Sequence, residues 1–71
     1  MTDTLMDIIC NGDQRSVEEK STLADLVATL SLDPRTVVAE VNGRIVEHTD
    51  FTGQELNAGD RVELIRFVGG G

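Results

Sequence analysis

Thr22-Leu23-Ala24-Asp25-Leu26-Val27-Ala28-Thr29-Leu30 is the stretch that decides the architecture. Leu23, Leu26, Val27 and Leu30 stand at i, i+3, i+4 and i+7, so all four share one face of an α-helix. Thr22 is a good N-cap, and Asp25, three residues on, can reach back with its carboxylate and favours the positive end of the helix. Pro34 closes the helical region. The apolar stripe of this helix has to be covered, and the flanking strands are the only candidates.

Upstream, Met6–Cys10 is apolar at positions 6, 8, 9 and 10 and reads as a strand. Asn11-Gly12-Asp13 is a tight-turn signal, because Asn and Gly tolerate positive φ. Gln14–Glu18 returns as a second strand with Val17 inward, which makes a hairpin. Downstream, Thr36–Val41 is β-branched and apolar, with Val37, Ala39 and Val41 on one face. Asn42-Gly43 turns the chain into a short strand, Arg44–Glu47. His48–Leu56 reads as an irregular crossover anchored by Phe51 and Leu56, and Asn57-Ala58-Gly59-Asp60 as another turn. Arg61–Phe67 is the last strand, with Val62 and Leu64 inward. The order β-β-α-β-β-β predicts an α+β fold in which a mixed sheet carries one helix packed on one face. The expected division is a flexible extension at residues 1–5, the domain at 6–67 and a flexible glycine tail at 68–71.

Composition narrows the function. A chain of 71 residues makes one domain with a thin core and no room for a deep cleft, which argues against a self-sufficient enzyme. Thirteen acidic against six basic residues give a net charge of −7, which disfavours a nucleic-acid backbone or an anionic membrane as partner and suits a basic protein surface. Cys10 is the only cysteine and His48 the only histidine, so neither a disulfide nor a metal centre within the chain is expected. No stretch resembles a signal peptide or approaches membrane-spanning length, and the expected location is the cytoplasm.

The most informative residues are the last three, Gly69-Gly70-Gly71. Glycine is costly to order and adds no side-chain contact, so three in a row after a core strand cannot serve packing. They suit a thin thread that carries a carboxylate into a channel too narrow for other residues. A frayed end is the alternative reading of the tail taken alone. No phosphate cradle of the G-x-x-x-x-G-K-[ST] type exists in the chain, so any ATP-driven activation of that carboxylate has to come from a partner.

Three segments carry a family resemblance. Leu56-Asn57-Ala58-Gly59-Asp60-Arg61-Val62-Glu63-Leu64-Ile65-Arg66-Phe67-Val68-Gly69-Gly70-Gly71, Thr22-Leu23-Ala24-Asp25-Leu26 and Val41-Asn42-Gly43-Arg44-Ile45-Val46 together resemble the ThiS family of ubiquitin-like β-grasp sulfur carriers, over nearly everything from Met6 onward. The resemblance implies that Gly71 is the attachment point for sulfur. An adenylyltransferase of the ubiquitin-activating type (ThiF-like) would join its carboxylate to AMP from ATP. Sulfur from a persulfide donor, such as a cysteine desulfurase, would displace AMP and leave a thiocarboxylate. Thiazole synthase (ThiG-like) would accept the sulfur. Gly69 and Gly70 would thread the partner sites, and no cofactor would be bound by the chain itself. Some members end in two glycines, which leaves Gly69 the least constrained of the three.

Alternation on the last strand turns Ile65 and Phe67 away from the helix, and Val38 shares that outward phase. These residues are expected to form an apolar docking surface beside the tail, with Val68 continuing it and Arg66 or nearby acids setting orientation. Cys10 has the phase of Met6 and Ile8 and reads as core packing. His48, Asp50, Glu55 and Lys20 read as surface. Other sulfur carriers, such as those of molybdopterin synthesis, share the fold and the diglycine end. A protein modifier conjugated through Gly71 and a plain ubiquitin-like interaction module are also compatible with the residues.

Overall fold

A computed structural model of the chain describes residues 4–66. It contains strands β1 (Leu5–Cys10) and β2 (Asp13–Glu18), helix α1 (Leu23–Thr29), and strands β3 (Val37–Val41), β4 (Arg44–Val46) and β5 (Arg61–Arg66). The five strands form one mixed sheet in the order β2-β1-β5-β3-β4. β1 and β5 run parallel at its centre, and the other pairings are antiparallel. This is the ubiquitin-like β-grasp arrangement.

Both hairpins close with two-residue Asn-Gly turns in which both residues are left-handed: Asn11 and Gly12 at φ 50° and 85°, Asn42 and Gly43 at 53° and 86°. That turn twist matches the twist of paired strands, and it fixes the registers Cys10↔Asp13 and Val41↔Arg44. Asp13 therefore begins β2 rather than completing the turn. Leu5, expected at the end of an extension, is the first residue of β1 and pairs with Glu18. The fourth strand stops at Val46, one residue short of expectation.

α1 begins with the expected capping box. The Thr22 hydroxyl accepts from the Asp25 N–H at 3.2 Å, and the Thr22 N–H donates to the Asp25 carboxylate at 2.9 Å. A seven-residue helix is marginal by itself, so its stability comes from burial of Leu23, Leu26 and Val27. It ends before Pro34 is reached. Ser31 turns left-handed at φ 60°, its N–H donates to Ala28 O at 2.9 Å, and the Leu32 N–H donates to Val27 O at 3.1 Å. These two bonds make a Schellman stop built on serine instead of glycine. Pro34 instead opens a short 3-10 turn, Pro34–Thr36, that leads into β3. Since Ser31 is exposed and a Cβ disfavours its backbone conformation, Ser31→Gly is expected to stabilise the domain by about 0.5–1 kcal/mol, read from the denaturant midpoint.

The inner face of the sheet supplies Ile8, Cys10, Val37, Ala39, Val41, Val62 and Leu64 to a single core shared with α1. The segment from His48 to Leu56 is more ordered than its composition suggests. It contains a 3-10 turn, His48–Gly53, and is tied to the helix start: Leu23 N–H donates to Gln54 O at 2.8 Å and Leu56 N–H to Ser21 O at 2.9 Å. These ties seat Phe51 and Leu56 in the core, both almost fully buried. No helix among the described residues is long and apolar enough to cross a membrane.

Candidate functional site

β5 is the element that leads to the glycines, and its surroundings determine what is presented with them. Phe67, Val68, Gly69, Gly70 and Gly71, all expected to take part in docking or sulfur attachment, lie outside the described residues. The other expected docking residues, Ile65, Arg66 and Val38, lie within them.

Ile65 sits directly opposite Val38 on the sheet face away from α1, and Ile65 is 56% exposed. The neighbouring rung pairs Glu40 with Glu63 on the same face. Two half-buried carboxylates set directly opposite each other repel, a local cost that an approaching cation would relieve. Ile45, which is 68% exposed, faces Glu40 from β4 and so joins Val38 and Ile65 on this surface. Sequence reasoning passed over Ile45, although the two-residue turn at Asn42-Gly43 fixes its register and therefore its face. Arg66 does not join the patch. It has the phase of Val62 and Leu64 and lines a notch on the helix side with Ser31, Leu32, Asp33 and Thr36. Arg35 hydrogen-bonds the exposed Asp33 side chain and holds its carboxyl below the usual range.

The root of β5 is fixed by side chains that the sequence marks only as turn residues. Asp60 is buried, and its carboxylate accepts from the Asn57 N–H at 2.7 Å and from Asn42 Nδ2 at 2.9 Å. Asn42 Oδ1 in turn accepts from the Arg61 N–H at 2.9 Å. Asn11 contacts β5 further along, at Leu64. Both hairpin asparagines thus grip the strand that precedes the glycines.

The set-aside residues sit where the sequence put them. Cys10 is buried in the core, and burial pushes its thiol above the ordinary value, with Arg15 pulling more weakly the other way. A thiol in that state is a poor nucleophile. Among the described residues no group of three His, Cys, Asp or Glu side chains could hold a metal ion. Among the described residues, the groove between β4 and the 3-10 turn His48–Gly53 and the groove between β2 and α1 are both open to solvent.

The described residues form a β-grasp domain that presents an apolar and acidic face along its last strand. The chain belongs to the ThiS family, whose model matches residues 4–71. It is similar to the sulfur carrier protein ThiS of Bacillus subtilis, 34% identical over 62 residues that cover 86% of this chain and 94% of that one. The crystal structure of the thiamine biosynthesis protein ThiS from Geobacter metallireducens superposes with a TM-score of 0.79 at 30% identity, covering 93% of this chain and 100% of the other. This chain is also 33% identical over 66 residues to a thiazole synthase of Paramagnetospirillum magneticum, a match covering 93% of this chain. The chain spans only 20% of the length of that thiazole synthase and of a second one, from Magnetococcus marinus. Of these relatives, the B. subtilis one is a sulfur carrier protein and the G. metallireducens one a thiamine biosynthesis protein.

Proposed function

We propose that this chain carries sulfur as a thiocarboxylate on Gly71 and delivers it to a thiazole synthase during formation of the thiazole part of thiamine. The observation that carries this reading is the likeness to the B. subtilis carrier over nearly its whole length, in a chain whose sequence has three glycines soon after β5. The likeness to part of two thiazole synthases supports the choice of acceptor.

A terminal carboxyl has a pKa near about 3.5, so at neutral pH it is an anion and a poor acylating agent. Joining it to AMP with release of pyrophosphate supplies a leaving group. The chain has no phosphate-binding loop, so a ThiF-like adenylyltransferase would bind the ATP and perform this step. A persulfide donor such as a cysteine desulfurase would provide the sulfur that displaces AMP. Gly69 and Gly70, lacking Cβ atoms, would pass through the narrow parts of both partner sites, with Phe67 and Val68 at the mouth. Ile65 and Val38 would dock the partners, Glu40 and Glu63 would meet a basic group among them, and Arg66 would contact them from the notch side.

The direct experiment is intact-protein mass spectrometry after incubation with ATP, the adenylyltransferase and a sulfur donor. Exchange of one oxygen for sulfur at Gly71 is the expected product, and its absence under conditions where the adenylate forms on a known carrier would end the proposal. The docking face is tested separately by Ile65→Asp. This change is expected to weaken adenylyltransferase binding about tenfold or more, because it puts a third carboxylate beside Glu40 and Glu63 in the centre of an apolar contact. Stability is expected to fall by no more than about 1 kcal/mol, from strand propensity and like-charge repulsion, since Ile65 is largely exposed and outside the core. Equal affinity for the variant and the parent in calorimetry would remove Ile65 from the interface.

A further inference from the structure

We propose that Asn11 is a positioning residue for the chemistry at the glycine end: its side-chain amide replaces the β1 peptide missing opposite Leu64 and so fixes how β5 leaves the sheet. The inference rests on the carrier reading above. The parallel β1–β5 ladder is short, with Ile9 opposite Arg61 and Cys10 opposite Val62. Along it the Ile9 N–H donates to Asp60 O and the Asn11 N–H to Val62 O, each at 2.9 Å. The next rung would need an acceptor for the Leu64 N–H and a donor for the Leu64 carbonyl. The β1 backbone cannot supply them, because it turns away at Asn11-Gly12.

The Asn11 side chain supplies both. The Leu64 N–H donates to Asn11 Oδ1 at 2.7 Å, and Asn11 Nδ2 donates to Leu64 O at 3.3 Å. A primary amide offers one acceptor and a donor in a plane, as a peptide group does. Ionised aspartate offers acceptors only, and serine, alanine and glycine cannot span the gap with both. Past Leu64, the described part of β5 pairs with β3 alone, through Val38↔Ile65 and Val37↔Arg66. Asn11 is therefore the last grip on the β1 side of the strand before Phe67. Without it the root of the glycine segment is held along one edge. A partner that must bring the Gly71 carboxylate to a fixed point then selects from more starting directions, which appears as weaker productive binding with little change in the bond-making step.

Asn11 also serves the turn, and Asn11→Gly separates the two roles: glycine keeps the left-handed backbone and removes the amide. The comparison is Val17→Ala, a half-buried β2 position away from β5, which lowers stability without touching the grip. For Asn11→Gly, exchange of the Leu64 amide hydrogen is expected to speed up about tenfold or more relative to the Leu30 amide of the helix end. In steady-state adenylation by the ThiF-like partner, its KM as carrier is expected to rise about fivefold or more with kcat within about twofold. Val17→Ala is expected to leave the KM and the Leu64-to-Leu30 exchange ratio at parent values. An unchanged KM for Asn11→Gly, an unchanged Leu64 exchange, or an equal KM increase in Val17→Ala overturns the assignment of Asn11 alone. Failure of the parent chain to be adenylated at all overturns the carrier reading, and this inference with it.

Discussion

Alanine at Phe51 is expected to cost about 3–5 kcal/mol, the range for emptying a buried aromatic site. Phe51 is 1% exposed and is the largest of the fully buried side chains. It reaches the core from a six-residue 3-10 turn, His48–Gly53, of which it is the buried residue. Once the ring is gone, Leu56 and the hydrogen bonds to the start of α1 are left to hold a crossover that has lost its largest core side chain. Small domains sit toward the low end of the usual 5–15 kcal/mol of stability, so a loss of this size leaves a large unfolded fraction at 37 °C. Urea titration followed by far-UV circular dichroism reads the effect as a fall in the midpoint. Phe51→Leu, which keeps most of the apolar volume, is expected to lose far less. A loss below about 1 kcal/mol for the alanine variant would mean that the crossover is held by something other than its aromatic anchor.

Removing Gly70 and Gly71 is expected to abolish thiocarboxylate formation completely. The truncated chain still ends in a carboxylate, on Gly69, but two residues closer to the sheet. Extended backbone spans roughly 3.3–3.6 Å per residue, so the reacting group would fall about 7 Å short of its place. In-line attack on a nucleotide phosphate tolerates errors well under that distance. The described core residues run from Ile8 to Leu64, so the unfolding midpoint is expected to stay at the parent value. Intact mass spectrometry reads the sulfur, and thermal unfolding reads the fold. Sulfur incorporation at the parent rate by the shortened chain would refute Gly71 as the attachment point.

Much of the fold could be read from local chemistry. The Thr22–Asp25 capping box, the stripe Leu23, Leu26 and Val27, and the two Asn-Gly turns are each decided within a few residues, and the structure has them all. The end of the helix was not legible. A left-handed serine carries no sequence mark, and Pro34 drew attention to the wrong residue. On the sheet face away from α1, Val38 and Ile65 follow from strand alternation, as Ile45 does once the Asn42-Gly43 register is carried one strand further. Arg66 was grouped with Ile65 by sequence neighbourhood, but alternation turns the two to opposite sides of the sheet. The second role of the asparagines was beyond reach, because Asn11 and Leu64 meet only when β5 inserts between β1 and β3. Burial of Asp60 depends likewise on Asn42 being folded over it.

Those asparagines also give the molecule a chemical clock. An Asn-Gly step is the one most open to loss of side-chain ammonia, since a glycine neighbour leaves the following backbone nitrogen free to attack. At Asn42 the resulting acid would face the carboxylate of Asp60 where an amide hydrogen now points, and at Asn11 it would confront the carbonyl of Leu64. Ageing at either step would add negative charge and weaken the anchorage of β5 while leaving the glycines chemically untouched.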